Sequence, residues 1–139
     1  DIQKELARKE TFLINEKKLS ASQRNFVMDY FNEQVRSYIV PLMLQNIPAF
    51  PNLSDKGLYL ACKLSKKENP EKASYALVPV PTRHLPRFLI LPQKGNRKFI
   101  ILLEDIIRLA LPTIFSFFDF RHHHFDLVAN QNRLASFSR

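Results

Sequence analysis

Few side chains in this 139-residue chain could do chemistry, and they fall into small groups. His122, His123 and His124 are adjacent imidazoles, a donor type that holds soft divalent metals. Consecutive side chains alternate along a strand and splay by about 100° around a helix, so the three reach one ion only across a turn. A solvated polar edge is the favoured reading. His84, between Arg83 and Leu85 and ahead of Pro86, is read as a turn histidine and not a catalytic base. Glu104 and Asp105 are adjacent carboxylates that could pair as acid and base. They also open a helix, where negative charge complements the macrodipole, and that structural role is favoured. Phe117, Phe118 and Phe120, with Phe115 nearby, could stack nucleobases. No basic residues interleave them, which favours core packing.

The basic groups are the better binding candidates. Lys94, Arg97 and Lys98 surround Gly95 and Asn96 between two apolar segments, so their charged heads must be in water. A solvated hairpin tip is the plainer reading, an anion-binding lobe the sharper one. Arg87 differs, because it starts an apolar segment directly after Pro86, where a guanidinium lies at a sheet end or is paired. Arg87, Lys94, Arg97 and Lys98 are therefore the polyanion-contact candidates, and no catalytic or metal-binding residue is assigned. The only glycines are Gly57 and Gly95, too few for a phosphate-cradling loop. No local signature of a Ser/His/Asp or Cys/His arrangement stands out.

The elements that must position these residues belong to one domain's worth of chain, long enough to bury roughly two thirds of the surface that its unfolded form exposes. Hydrophobic residues make up 45%, twelve residues are Phe, and the formal net charge is +8 with a pI near 9.8. That balance describes a packed domain with a basic surface, suited to nucleic acid, polyphosphate, nucleotides or acidic protein faces. The single Cys62 excludes an internal disulfide framework and leans towards a reducing compartment. No apolar run reaches the roughly 18 residues of a membrane helix and no leader pattern opens the chain, so a cytosolic protein is expected. Asp1 stands where an initiator methionine would, which suggests a portion excised from a longer polypeptide.

"DIQKELARKE" is a short helical pattern, and "TFLIN" a connection. Ser20 and Gln23 match a capping box, and Val27, Tyr30, Phe31, Val35, Tyr38, Ile39 and Leu42 recur at helical spacing up to a break near Pro41. "LYLACKL" and "ASYALVPVP" read as strands, the first with Leu58, Leu60, Cys62 and Leu64 on one face. Pro79 and Pro81 put the end of the second at an edge. "RFLIL" and "KFIIL" are two more strands joined by the basic turn. A helix follows from Glu104 through Leu111, limited by Pro112, with a last strand candidate over Phe125 to Val128. The expected class is α+β: N-terminal helices, then a mostly antiparallel sheet with a helix packed on it. The expected divisions are 1–44 as an N-terminal helical segment, 45–128 as an α+β core and 129–139 as a tail.

Three stretches, "RKETFLINEKKLSASQRNFVMDYF", "YALVPVPTRHLPRFLILP" and "KFIILLEDIIRLALPTIF", together resemble the head, or middle, domain of bacterial polyphosphate kinase. The likeness runs in order from about Arg8 to Phe120. It implies a parent phosphotransferase that moves the terminal phosphate of ATP reversibly to inorganic polyphosphate, with magnesium and a phosphohistidine. It further implies a homodimer, cytosolic or membrane-peripheral, whose head domain joins in dimer contacts and borders the polymer path. The family's catalytic histidine sits in a His-x-Lys setting in a later half; His84, His122, His123 and His124 lack that setting, so none inherits the role. Neither ATP nor magnesium is expected to bind this portion. The implied partners are the rest of the kinase chain, a second copy and polyphosphate, with no nucleic acid. After "FSFFDF" the family pattern of a Lys-x-Thr-Arg-Asp-Ala-like segment is missing, so the tail is either diverged or an artefact of truncation. The competing reading is a freestanding basic module that binds nucleic acid or another polyanion.

Overall fold

The basic turn between the "RFLIL" and "KFIIL" segments is the tip of a real hairpin, seen in a computed structural model that describes residues 11–44, 57–66, 73–93, 95–116, 118–119 and 125–129. Lys94, the helical pattern of Asp1 to Glu10, Phe117, Phe120 and His122 to His124 lie outside the described residues, so the expectations placed on them find no answer here. By contacts the chain divides into two units, Asp1–Ser37 with Arg83–Ala110, and Tyr38–Thr82 with Leu111–Arg139. Each draws on two stretches of sequence.

In the first unit, β1 (Thr11–Leu13) is followed by a 3-10 turn at Glu16–Lys18, where the Lys17 N–H donates to Asn15 Oδ1 at 2.9 Å. Then comes α1 (Ala21–Tyr30). The capping box is present: Ser20 Oγ accepts the Gln23 N–H at 3.2 Å and Gln23 Oε1 accepts the Ser20 N–H at 2.8 Å. That reciprocal bonding explains why Gln23 is buried at a polar helix start. The helical path continues past Tyr30 as a π-helical turn, Phe31–Val35, and a 3-10 turn, Arg36–Tyr38. Val27, Phe31 and Val35, four apart, form its fully buried stripe. The single helix expected up to Pro41 is thus three kinds of helical turn that stop at Tyr38. Leu42, assigned to the same stripe by its spacing, instead opens a strand of the second unit. The cause is local, since the ring of Pro41 disfavours helical backbone at Val40 and sends the chain out extended.

The first unit's sheet has the order β1-β6-β5, with β5 Phe88–Ile90 and β6 Lys98–Leu102. β5 and β6 are antiparallel, whereas β1 runs parallel to β6 with Phe12 opposite Phe99. Alternation puts Leu89, Leu91 and Ile101 on the side that is buried and Phe88, Ile90, Ile100 and Leu102 on the other. α2 (Leu103–Ile114) follows β6 without a loop and passes from the first unit's residues into the second's. Leu103, Ile106, Ile107, Ala110 and Leu111 are its buried apolar residues, and Glu104 and Asp105 are buried with them. Pro112, expected to limit the helix, lies inside it. It stands in the last turn, where only the bond from its own position to Arg108 is forgone, and Phe115 N–H still reaches the Leu111 carbonyl at 2.9 Å.

The second unit's sheet is built from β2 (Leu42–Leu44), β3 (Leu58–Lys66), β4 (Ala73–Val80), β7 (Phe118–Asp119) and β8 (Phe125–Ala129). The order is β2-β4-β3, with β7 and β8 both pairing along the other edge of β3. All these pairings are antiparallel. The one-sided burial expected for β3 is not what is found: Tyr59 and Ala61 are buried as well as Leu60, Cys62 and Leu64, so both faces are covered. Tyr59, Ala61 and Leu77 pack as one cluster with Leu44 against it. β4 runs through Pro79, which β2 does not reach, its pairing ending at Leu77; a missing N–H is tolerated at such a local edge. The α+β class with mostly antiparallel pairing holds, but the strands divide between two sheets where one was expected.

Candidate polyanion-contact site

The hairpin of β5 and β6 is clamped at its base by opposite charges. Arg87, one residue before β5, reaches Glu104 in the first turn of α2 with both arms of its guanidinium, Nε to Oε1 at 2.8 Å and NH2 to Oε2 at 2.6 Å. Between them the Leu103 N–H bonds the Arg87 carbonyl at 2.8 Å. Glu104 is almost wholly buried while the Arg87 side chain stays 42% exposed. Burial works against the charge of Glu104, but the Arg87 hydrogen bonds, a backbone N–H and the attraction of Arg87 and Arg108 outweigh it, so its carboxyl is held below its ordinary value. The same hydrogen bonds to Glu104 raise Arg87 against the cost of its own burial. Arg87 is therefore paired, the second of the two situations its position allowed.

At the next residue, Asp105 Oδ1 accepts from Arg108 Nη1 at 2.5 Å, and the same nitrogen is 3.9 Å from Glu16 Oε1. Burial pushes the Asp105 carboxyl from an ordinary 3.8 up to about 6; Arg108 opposes this, while the Glu16 and Glu104 carboxyls add to it. Asp105 therefore keeps its proton to a higher pH than an ordinary aspartate does. Asp105 and Arg108 are neighbours at i,i+3 and visible in "LEDIIR". Glu16, contributed from the distant turn before α1, carries no local signal. Glu104 and Asp105 do open the helix, as expected, but each is bound to a guanidinium and neither is placed to serve the other as acid and base.

At the far end of the hairpin, Gly95 has a φ of +60°, a left-handed backbone that glycine adopts without strain, and Gln93 Nε2 donates to its carbonyl at 2.8 Å. Arg97 and Lys98 follow, both exposed. Alternation sends them to opposite faces of the sheet. The Arg97 guanidinium lies 5.9 Å from the ring centroid of Phe12, which is itself 5.7 Å from Phe99. Lys98 emerges on the side of Ile100. Among the described residues neither forms a salt bridge. Arg87 is not with them: six residues of β6 separate the level of Leu103 from Arg97, about 20 Å at strand rise. Arg97 and Lys98 thus stay together at the tip and Arg87 is a brace at the base. Phe12 was not foreseen as part of this tip, because nothing local pairs it with a segment so far along the chain.

Among the described residues no group of three His, Cys, Asp or Glu side chains is gathered to hold a metal ion. The carboxylates of Glu104 and Asp105 are engaged by guanidinium groups. His84 is exposed in the turn before β5, and Phe115 is buried, in keeping with packing rather than stacking. No described helix is long and apolar enough to cross a membrane.

Fold and site define a class: an α+β domain that braces a hairpin internally with ion pairs and presents a cationic tip to water. Comparison with known proteins narrows it. The polyphosphate kinase middle domain matches residues 22–130. The polyphosphate kinase of Vibrio vulnificus is 44% identical over 121 residues, covering 84% of this chain and 17% of that protein. That of Escherichia coli K12 is 37% identical over 120 residues, with the same coverage. The crystal structure of polyphosphate kinase from Porphyromonas gingivalis superposes with a TM-score of 0.78 at 27% identity, over 88% of this chain and 19% of that one. The chain belongs to the polyphosphate kinase family and carries middle-domain sequence. It spans about one sixth of the length of the curated relatives it matches.

Proposed function

We propose that this chain acts as the middle domain of a polyphosphate kinase, a phosphotransferase that reversibly moves the terminal phosphate of ATP to inorganic polyphosphate. The family match over residues 22–130 carries this reading. In it the phosphohistidine, the ATP and the magnesium belong to a part of the polypeptide outside these residues, where a His-x-Lys motif is expected. This domain contributes to homodimer assembly and borders the path of the polymer, in the cytosol or at a membrane surface.

Arg97 and Lys98, with Lys94, are the residues assigned to the polymer. Arg97 and Lys98 are exposed, and no described carboxylate neutralises either. A polyanion that meets such cations releases counterions and binds in a strongly salt-dependent way. Arg87 takes a positioning role, because its charge is spent on Glu104.

The test is the double variant Arg97→Ala/Lys98→Ala in the full-length kinase. KM for polyphosphate should rise and its dependence on log salt flatten by up to about two, one per lost cation, with KM for ATP unmoved. An unchanged polyphosphate KM and salt slope would remove the tip from the polymer path. A rise in KM for ATP alone would place the tip elsewhere in the enzyme.

A further inference from the structure

Among the described residues β5 is the outermost strand of the first unit's sheet, and only half of its backbone is paired. The Leu91 N–H bonds the Phe99 carbonyl and the Leu103 N–H bonds the Arg87 carbonyl, both at 2.8 Å. In an antiparallel ladder such pairs alternate, so Arg87, Leu89 and Leu91 turn their main-chain groups to β6. Phe88 and Ile90, opposite Leu102 and Ile100, turn theirs outwards. β6 obeys the same rule on its other side, where the Ile100 carbonyl accepts the Ile14 N–H of the β1 end at 2.9 Å. Between them β5 and β1 use both sets of β6 groups, while the outward set of β5 meets no strand among the described residues.

The side chains on the same two residues are apolar and open: Phe88 is 44% exposed and Ile90 67%. They stand on the face of Ile100 and Leu102, away from the buried Ile101. Natural sheets protect an edge with charge, proline or a bulge. Here Pro86 and Pro92 bound the stretch, and the residues between Arg87 and Pro92 carry no charge. Unpaired donors and acceptors beside exposed apolar side chains are the features by which an added strand is recognised.

The size of the edge says what kind of strand. An interface between separate molecules needs roughly 1,200–2,000 Å² of buried surface, far beyond what three residues offer. A strand tethered in the same polypeptide needs much less, because its effective concentration reaches the millimolar range. About five sixths of the Vibrio vulnificus relative's length has no counterpart in this chain, which covers 17% of it. We infer that the β5 edge, Phe88 to Ile90, takes a fourth strand of apolar character from a part of the same polypeptide outside these 139 residues. This rests on the full-length reading under Proposed function.

The experiment uses the full-length kinase. Amide exchange is followed over residues 87–91 of the wild-type protein, and maleimide labelling over the variants Ile90→Cys and Phe88→Cys, with wild type as the background because Cys62 is buried. The amides of Phe88 and Ile90 should exchange as slowly as that of Leu89, and both thiols should react roughly 100-fold slower than an open thiol, unchanged on dilution. Fast exchange at Phe88 and Ile90 overturns the strand, even with the thiols protected. Protection lost on dilution overturns the assignment to the same chain and gives the edge to a second copy. Polyphosphate synthesis by the same wild-type preparation reports separately. A protected edge in an inactive protein counts against the kinase reading and leaves the strand standing.

Discussion

Arg87 and Glu104 tie the start of β5 to the first turn of α2 through two hydrogen bonds. Removing the guanidinium leaves an almost wholly buried carboxylate with only a backbone N–H and the attraction of Arg108 to support its charge. Arg87→Ala should cost about 1–3 kcal/mol in urea unfolding at neutral pH, discounted from a fully buried pair because Arg87 is partly in water. Arg87→Lys should recover only part, since an ammonium cannot make the two parallel bonds. The pH dependence separates the two carboxylates. Glu104 is held below its ordinary 4.5, so its contribution is present above that value and is lost as pH falls through the lower folded one; the Arg87→Ala penalty shrinks there. Asp105 is pushed up to about 6, so the folded state binds its proton more readily than the unfolded chain, and this group costs stability as pH rises from 4 to 6. Asp105→Asn should remove that decline. Urea midpoints measured from pH 4.5 to 7.5 should fall more steeply in wild type than in the variant, and equal slopes would contradict the assignment. "LEDIIR" shows Asp105 and Arg108 on neighbouring turns of a helix. It does not show that Arg87 closes a ring with Glu104 or that Glu16 arrives from another element.

At the scale of elements, local chemistry was legible and distant pairing was not. Ser20 and Gln23 announce the start of α1, and both capping bonds are made. Ser20→Ala should lower stability by about 1 kcal/mol, read as a drop in Tm with the far-UV signal of the folded state kept. The hairpin of β5 and β6 was equally plain, because its strands are apolar, adjacent and joined by a turn containing glycine. β1 was read as a connection. Three residues cannot declare a strand, and its parallel partner β6 lies most of the chain away. The stripe through Val27, Phe31 and Val35 was visible, yet period alone carried it on to Leu42, and only the backbone restriction before Pro41 separates helix from strand there. β3 was given one buried face because alternation is the signal of a half-exposed strand. Tyr59 and Ala61 are buried too, and the unbroken apolar run from Leu58 to Cys62 reads the same whether one face is covered or both.

Over the whole molecule, a formal net charge of +8 says that anions are attracted and nothing about which. The composition was compatible with a freestanding nucleic-acid binder. The ordered resemblance along the chain favoured a polyphosphate kinase domain, and the match of residues 22–130 establishes the family. The placement of the basic residues was only partly legible. The sequence grouped Arg87 with the basic turn, but the strands between them set Arg87 at the base of the hairpin and leave Arg97 and Lys98 at its tip. A shared charge cannot reveal that separation; the strand register does. The measurement that bears most directly on the proposed role is equilibrium binding of this chain to inorganic polyphosphate and to single-stranded DNA at matched ionic strength. Polyphosphate should bind more tightly, weaken steeply with salt, and lose affinity in the Arg97→Ala/Lys98→Ala variant. A preference for DNA, or polyphosphate binding untouched by that variant, would contradict a polymer-facing middle domain.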